Sequence, residues 1–186
     1  MHGYGGKINL VRTPAELDEA LAILNRQELL GFDTETQPNF KKGQNHPTAL
    51  IQLAGKSAVF IFQLKTLGFP PELKELLANP AIIKAGVAVD QDLIQLKALG
   101  SFTDGGFIEL ATVARHAGIK NHGLRGLTAV LLGFRISKGA QRSNWGNDQL
   151  TSHQIHYAAT DAWAGREIYL RLKEMSVIYS DIFLDD

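Results

Sequence analysis

Asp33 and Glu35 are separated by one residue in the run Leu29-Leu30-Gly31-Phe32-Asp33-Thr34-Glu35. On a strand, residues i and i+2 share a face, so two carboxylates project together while Leu30 and Phe32 take the opposite, buried face. Side by side the acids repel, which raises the pKa of one unless a cation sits between them. A hard divalent ion such as Mg²⁺ or Mn²⁺ takes oxygen ligands and would satisfy the pair. The same spacing also suits an exposed strand end with two solvated acids, and D-x-E is common by chance. Tyr157 and Asp161 lie four apart in a helical stretch and share one face. Their neighbours Ala158, Ala159, Thr160 and Ala162 are small, which admits a substrate, or simply a tyrosine bonded to an aspartate at a helix–sheet contact. Asp92 falls three residues past the apolar run that ends at Val89, in the first turn of a helix whose N-terminus favours an anion. Asp90 is better placed to cap that helix, which leaves Asp92 for other work.

The elements that must position these residues are legible from pattern. Thr13-Pro14-Ala15-Glu16 is a capping box with proline at the first helical position, and predicts a helix from Pro14 to Asn25. Leu29 to Glu35 has strand character. Ala49 to Ala54 and Ala58 to Phe62 are apolar runs joined by Gly55-Lys56-Ser57, a hairpin turn. Pro70-Pro71 opens a short helix that ends near Asn79-Pro80. Ile82 to Val89 reads as a strand followed by a helix from Asp90 to Leu99. Phe107 to Leu110 reads as a short strand leading into another helix. Leu124, Leu127, Val130, Leu131 and Phe134 have helical spacing, with Gly133 near the stop. Thr151-Ser152-His153-Gln154 is a second capping box and opens a long helix to about Met175. A hairpin followed by alternating strands and helices predicts an α/β fold, a mixed sheet covered by helices.

The bulk properties exclude several classes. The chain has 186 residues, 45% of them hydrophobic and 20% charged, which argues against a disordered, collagen-like or coiled-coil chain. No internal repeat or Pro/Ser linker divides it, so residues 1–186 read as one domain. The absence of cysteine excludes disulfides, zinc–thiolate sites and thiol nucleophiles. Without an apolar run of the roughly 18 residues that a membrane span needs, or a secretory leader at Met1 to Lys7, the expected setting is cytoplasmic, with no membrane partner. Net charge is zero, which argues against bulk electrostatic binding of nucleic acid. The distribution is uneven, however. No acid occurs between Glu109 and Asp148, where Arg115, Lys120, Arg125, Arg135, Lys138 and Arg142 all fall. Such a segment could face phosphates, or be scattered solvated charge.

Taken together, three stretches resemble one family. Phe32-Asp33-Thr34-Glu35-Thr36, Gly86-Val87-Ala88-Val89-Asp90-Gln91-Asp92-Leu93 and Tyr157-Ala158-Ala159-Thr160-Asp161-Ala162 resemble the three motifs of a DEDD-type 3'→5' exonuclease of the DEDDy subgroup. Ala49-Leu50-Ile51-Gln52-Leu53 and Gln141-Arg142-Ser143-Asn144-Trp145 extend the likeness, which runs from about Leu29 to Leu172 and is similar to ribonuclease D and, more closely, to Werner-type exonucleases. The resemblance implies an RNase H-like (DnaQ-like) fold with a mixed sheet of five or six strands flanked by helices. It implies a hydrolase that removes nucleoside 5'-monophosphates from the 3' end of nucleic acid, DNA before RNA. Ribonuclease D-like RNA trimming and a non-catalytic nucleic-acid-binding domain are the alternatives. Asp33, Glu35, Asp92 and Asp161 match the metal-binding acids of a site with two Mg²⁺ or Mn²⁺ ions, and Tyr157 matches the residue that orients the attacking water. The nucleic acid is then expected near the Thr34 backbone, Phe40, Lys138 and Arg142, with Lys41-Lys42 a further backbone contact. Trp145 is either a stacking platform or a buried anchor for its loop. Glu109 is expected to be structural, and His153 and His156 to lie at the surface or behind the site.

Overall fold

The computed structural model describes residues 3–37, 47–137 and 139–177. In chain order the elements are β1 (Lys7–Val11), α1 (Pro14–Leu24), β2 (Leu29–Thr36), β3 (Thr48–Ala54), β4 (Ala58–Gln63), α2 (Leu64–Leu67), α3 (Pro71–Ala78), β5 (Ile83–Gly86), α4 (Val89–Leu99), β6 (Phe107–Glu109), α5 (Leu110–His116), α6 (Leu124–Leu127), a π-helical turn (Thr128–Leu132) and α7 (Ser152–Glu174). The six strands form one sheet in the order β1-β4-β3-β2-β5-β6. β3 runs antiparallel to β2 and β4, while the remaining neighbours pair in parallel. The mixed α/β sheet predicted from the sequence is therefore present.

Both capping boxes form. Thr13 and Glu16 exchange side-chain and backbone hydrogen bonds at the start of α1, as do Thr151 and Gln154 at the start of α7, so four helix N–H or flanking amide groups find partners at these two ends. β3 and β4 are buried at every position, because helices cover both sheet faces; this explains why they read as mostly apolar runs. Large side chains fill one face: Leu30, Phe32, Ile51, Leu53, Phe60 and Phe62 pack with α1, α3 and α4. The other face is smaller in volume. There Leu50, Ala54, Val59 and Ile61 meet Tyr157, Ala158, Ala159 and Ala162 of α7.

Four expectations need correction. β1 was not foreseen; Lys7-Ile8-Asn9-Leu10 alternates polar and apolar residues, but the strand is only five residues long and sits at the sheet edge. The predicted strand from Ile82 to Val89 ends at Gly86. The chain turns through Ala88, whose φ of 66° is left-handed, and α4 begins at Val89. Asp90 does not cap α4; no side chain at its own N-cap position does. The helix predicted around Leu124 to Phe134 splits into one α turn and one π turn, ended by Gly133 at φ 76°.

The contact that sets α7 over the sheet is a backbone one. A Cβ built on Gly31 would lie 1.9 Å from the Ala162 carbonyl oxygen, so glycine is the residue that lets β2 and α7 touch at this depth. Gly31→Ala should therefore lower unfolding free energy by about 2–3 kcal/mol through overpacking, measured by urea denaturation. The loss should exceed that of Gly5→Ala, where a Cβ meets nothing within 4 Å.

Candidate active site

β2 presents Asp33 and Glu35 on the face that α7 covers, and α7 brings Asp161 down onto them. One carboxylate oxygen from each of Asp33, Glu35 and Asp161 lies within 4.8 Å of the others. Tyr157 sits one turn before Asp161, buried against the ring of Trp145 with centroids 6.0 Å apart. Asp92 joins from the opposite side of the strand. It lies outside the three-acid group but accepts a hydrogen bond from Thr34 Oγ1 at 2.7 Å. The five motif residues thus converge on the end of β2, as expected from the sequence. Thr34 contributes its side chain to Asp92 and its backbone N–H to Asp33, an inward role that was not foreseen.

Asp92 is aimed by a residue from another strand. Glu109, at the end of β6, accepts from Val89 N at 2.7 Å with one oxygen and from Ala111 N at 2.9 Å with the other. One carboxylate thus caps α4 and α5 together. This bears out the structural reading of Glu109 and supplies the cap that Asp90 does not.

A cleft of about 370 Å³ opens over the acids, lined by Asp33, Thr34, Glu35, Arg125, Tyr157 and Asp161 among others. Arg125 is the residue that sequence reasoning passed over. Its Nε donates to the Ile136 carbonyl at 2.9 Å, and its charge favours ionised Asp161. The signal was its place in the acid-free basic segment. Arg142 is exposed and does not line the cleft, whereas Gln141 beside it does. Lys138, Phe40, Lys41 and Lys42 lie outside the described residues. Trp145 is 1% exposed and is the buried anchor, not a stacking platform. Its loop is tied down by Gln63, which donates to the carbonyls of Asn147 and Asp148, and by Gln154, which donates to that of Asn144. His153 and His156 are exposed on α7.

Burial dominates the electrostatics. Burial, followed by the charges of Asp161, Glu35 and Asp92, pushes Asp33 well above the usual carboxylate range. Burial and the charges of Asp161 and Asp92 push Glu35 to about 9. Asp161 is pushed to about 7 by burial, held back by the Tyr157 hydroxyl and by Arg125. Asp92 is pushed to about 6 by burial, held back by the Thr34 hydroxyl and raised by Glu109. Tyr157 is moved far above the ordinary tyrosine range by burial and by the neighbouring carboxylates, so its hydroxyl keeps its proton and acts as a donor.

The sequence from residue 8 to residue 176 matches the family model for 3'-5' exonuclease. The chain belongs to the 3'-5' exonuclease family. It is 38% identical over 157 residues to the bifunctional 3'-5' exonuclease/ATP-dependent helicase WRN of Mus musculus, an alignment covering 80% of this chain and 11% of that protein. The EXO domain of Aedes aegypti Nibbler superposes with a TM-score of 0.84 at 25% identity, covering 94% of each chain. Escherichia coli RNase D shares the fold, with a TM-score of 0.79 at 19% identity over 91% of this chain and 46% of that one. The chain spans less than two thirds of the length of curated relatives such as WRN and a putative 3'-5' exonuclease of Acanthamoeba polyphaga mimivirus, 11% and 41% respectively. The exonuclease family is divalent-metal dependent, and the acid cluster is a donor set suited to such an ion.

The raised carboxylate pKa values give stability a definite pH dependence in metal-free protein. Unfolded carboxyl groups titrate near about 4. Above that pH the folded chain retains protons on Asp92, Asp161 and Glu35 up to about 6, 7 and 9, so it binds more protons than the unfolded chain and loses stability as pH rises. In EDTA the melting temperature should fall from pH 5 to pH 9. Glu35→Gln should flatten the part of that fall above pH 7, as read by differential scanning fluorimetry across the pH range.

Proposed function

We propose that this chain is a 3'→5' exonuclease that hydrolyses the terminal phosphodiester bond of nucleic acid at a divalent-cation site, releasing nucleoside 5'-monophosphates. The observation that carries this reading is the convergence of Asp33, Glu35 and Asp161 within 4.8 Å, beside a tyrosine hydroxyl and beneath an open cleft. The residues fit a cation on their own chemistry. Two half-buried acids and one buried acid hold one another partly protonated, and Asp161 Oδ1 is buried without a hydrogen-bond partner; a positive ion would relieve both. Asp33, Glu35 and Asp161 would hold it, and Asp92, tethered through Thr34, is the acid left for a second ion. All-oxygen donors favour Mg²⁺ or Mn²⁺. Such ions supply Lewis acidity at a scissile phosphate and a nucleophilic water at neutral pH.

The chain's own residues do the rest. Tyr157, which keeps its proton, donates to Asp161 and is placed to orient the attacking water rather than to deprotonate it. Trp145 holds the Tyr157 ring in place. Arg125 at the cleft wall offers the charge that a phosphate would meet. The favoured substrate is DNA with a free 3' end, because the sequence likeness to WRN, 38% identity, is stronger than that to Escherichia coli RNase D, 19%.

The test uses 5'-labelled single-stranded DNA, recessed-3' duplex DNA and single-stranded RNA, each with Mg²⁺, Mn²⁺ or EDTA. A metal-dependent ladder shortening from the 3' end is expected, fastest on a DNA strand; discrete internal fragments, or no degradation with either metal, would overturn the reading. Asp33→Ala should lower kcat by about 1,000-fold or more, equivalent to about 4 kcal/mol of barrier. Tyr157→Phe should lower kcat by about 100-fold with little change in KM.

A further inference from the structure

β3 is buried at every position, yet its fifth residue is a glutamine. Gln52 has no accessible surface, and neither its Nε2 nor its Oε1 has a hydrogen-bond partner. Such an amide costs stability, and a hydrophobic residue of similar volume would suit the fold better. Its place in the sheet suggests what it is for. Gln52 stands directly opposite Asp33 across the antiparallel β2–β3 ladder. Paired residues there project to the same side, with Cβ atoms about 4.5–5.5 Å apart. Leu50 and Ala54, two residues to either side, belong to the cluster under α7, so the amide lies on the face that carries Asp33 and Asp161.

The three aspartates are unequally supported. The Thr34 hydroxyl donates to Asp92 at 2.7 Å, and the nearby Tyr157 hydroxyl favours the ionised form of Asp161. Asp33 accepts from the backbone N–H of Thr34, and among the described residues no side chain donates to it. A neutral donor with a free N–H is thus buried across the strand from an aspartate to which no described side chain donates.

We propose that Gln52 is a positioning residue for Asp33: in the cation-loaded site its Nε2–H donates to the Asp33 carboxylate and fixes the rotamer in which the other oxygen meets the ion. This rests on the reading of the acid cluster as a cation site. The unsatisfied amide of the metal-free chain is then the cost of a bond made on loading, in the way that outer hydrogen bonds orient metal ligands generally.

The experiment titrates EDTA-stripped protein with Mn²⁺ alone by isothermal calorimetry, in the wild type, Gln52→Leu, Asp33→Asn and the double variant. Gln52→Leu should keep or raise the melting temperature in EDTA, weaken Mn²⁺ binding by about 10–100-fold, and lower kcat with KM for DNA unchanged. In the Asp33→Asn background the same substitution should change Mn²⁺ affinity less than about twofold. Gln52→Met serves as a second variant should leucine's branching disturb folding. An unchanged Mn²⁺ affinity in the single variant, or an equal loss in the Asp33→Asn background, overturns the proposal. Wild-type protein that binds no Mn²⁺ overturns it together with the cation site, whereas Mn²⁺ binding without nuclease activity overturns only the proposed function.

Discussion

The arrangement of this molecule depends on how closely one helix can approach one strand. α7 rides on β2 at Gly31, where the Ala162 carbonyl occupies the space that any side chain would fill. Gly165 makes a similar approach to the Ala85 carbonyl of β5, 2.8 Å from a built Cβ. Around these contacts the helix packs Ala158, Ala159, Ala162 and Ala164 against the sheet. An α-helix normally stands farther from a sheet than this, since side chains on both must interdigitate. Here the small residues bring Asp161 within ligand distance of Asp33 and Glu35. A bulkier residue at Gly31 would separate the acids whatever their identity.

That closeness is electrostatically unfavourable in the bare chain. Four carboxyl groups share a site that is mostly buried, and their pKa values rise together. The neighbouring side chains moderate this only in part. Thr34 and Tyr157 give hydroxyl hydrogen bonds, Arg125 gives a positive charge at the wall, and Glu109 spends its own charge on two helix N-termini while still raising Asp92. The balance leaves the site holding excess protons near neutral pH, which is the electrostatic signature of a place made for a cation.

Much of this was legible in the sequence, and the reasons differ from element to element. The capping boxes at Thr13 and Thr151 act locally, so their helices are as predicted. The doubly buried β3 and β4 announce themselves as mostly apolar runs, broken within β3 by Gln52. The five motif residues were assigned through the resemblance of three stretches, read together, to one family, since each pair alone also suited a structural role. What escaped was whatever depends on partners distant in sequence. β1 is an edge strand whose pairing with β4, more than its own brief pattern, makes it a strand. The end of β5 is set by the left-handed turn at Ala88, for which an alanine gives no cue. The capping of α4 comes from Glu109, 20 residues away. Arg125 lines the cleft from α6, tied to the Ile136 carbonyl, while Arg142 stays outside.

The two faces of the sheet divide the demands on the fold. The face under α1, α3 and α4 is packed with phenylalanine and leucine, and it supplies most of the apolar burial that stabilises the chain. The face under α7 gives up volume to alanine and glycine and keeps polar atoms with no partner: both polar atoms of Gln52, Trp145 Nε1 and Asp161 Oδ1. Each of these lowers stability on its own side of the sheet. They are tolerated because β3 and β4 are shared by both faces, so the dense face fixes the strands from which the costly one is built. Placing the unsatisfied polar groups on one side of a sheet whose other side is filled with large apolar residues lets the chain hold an acidic site in position.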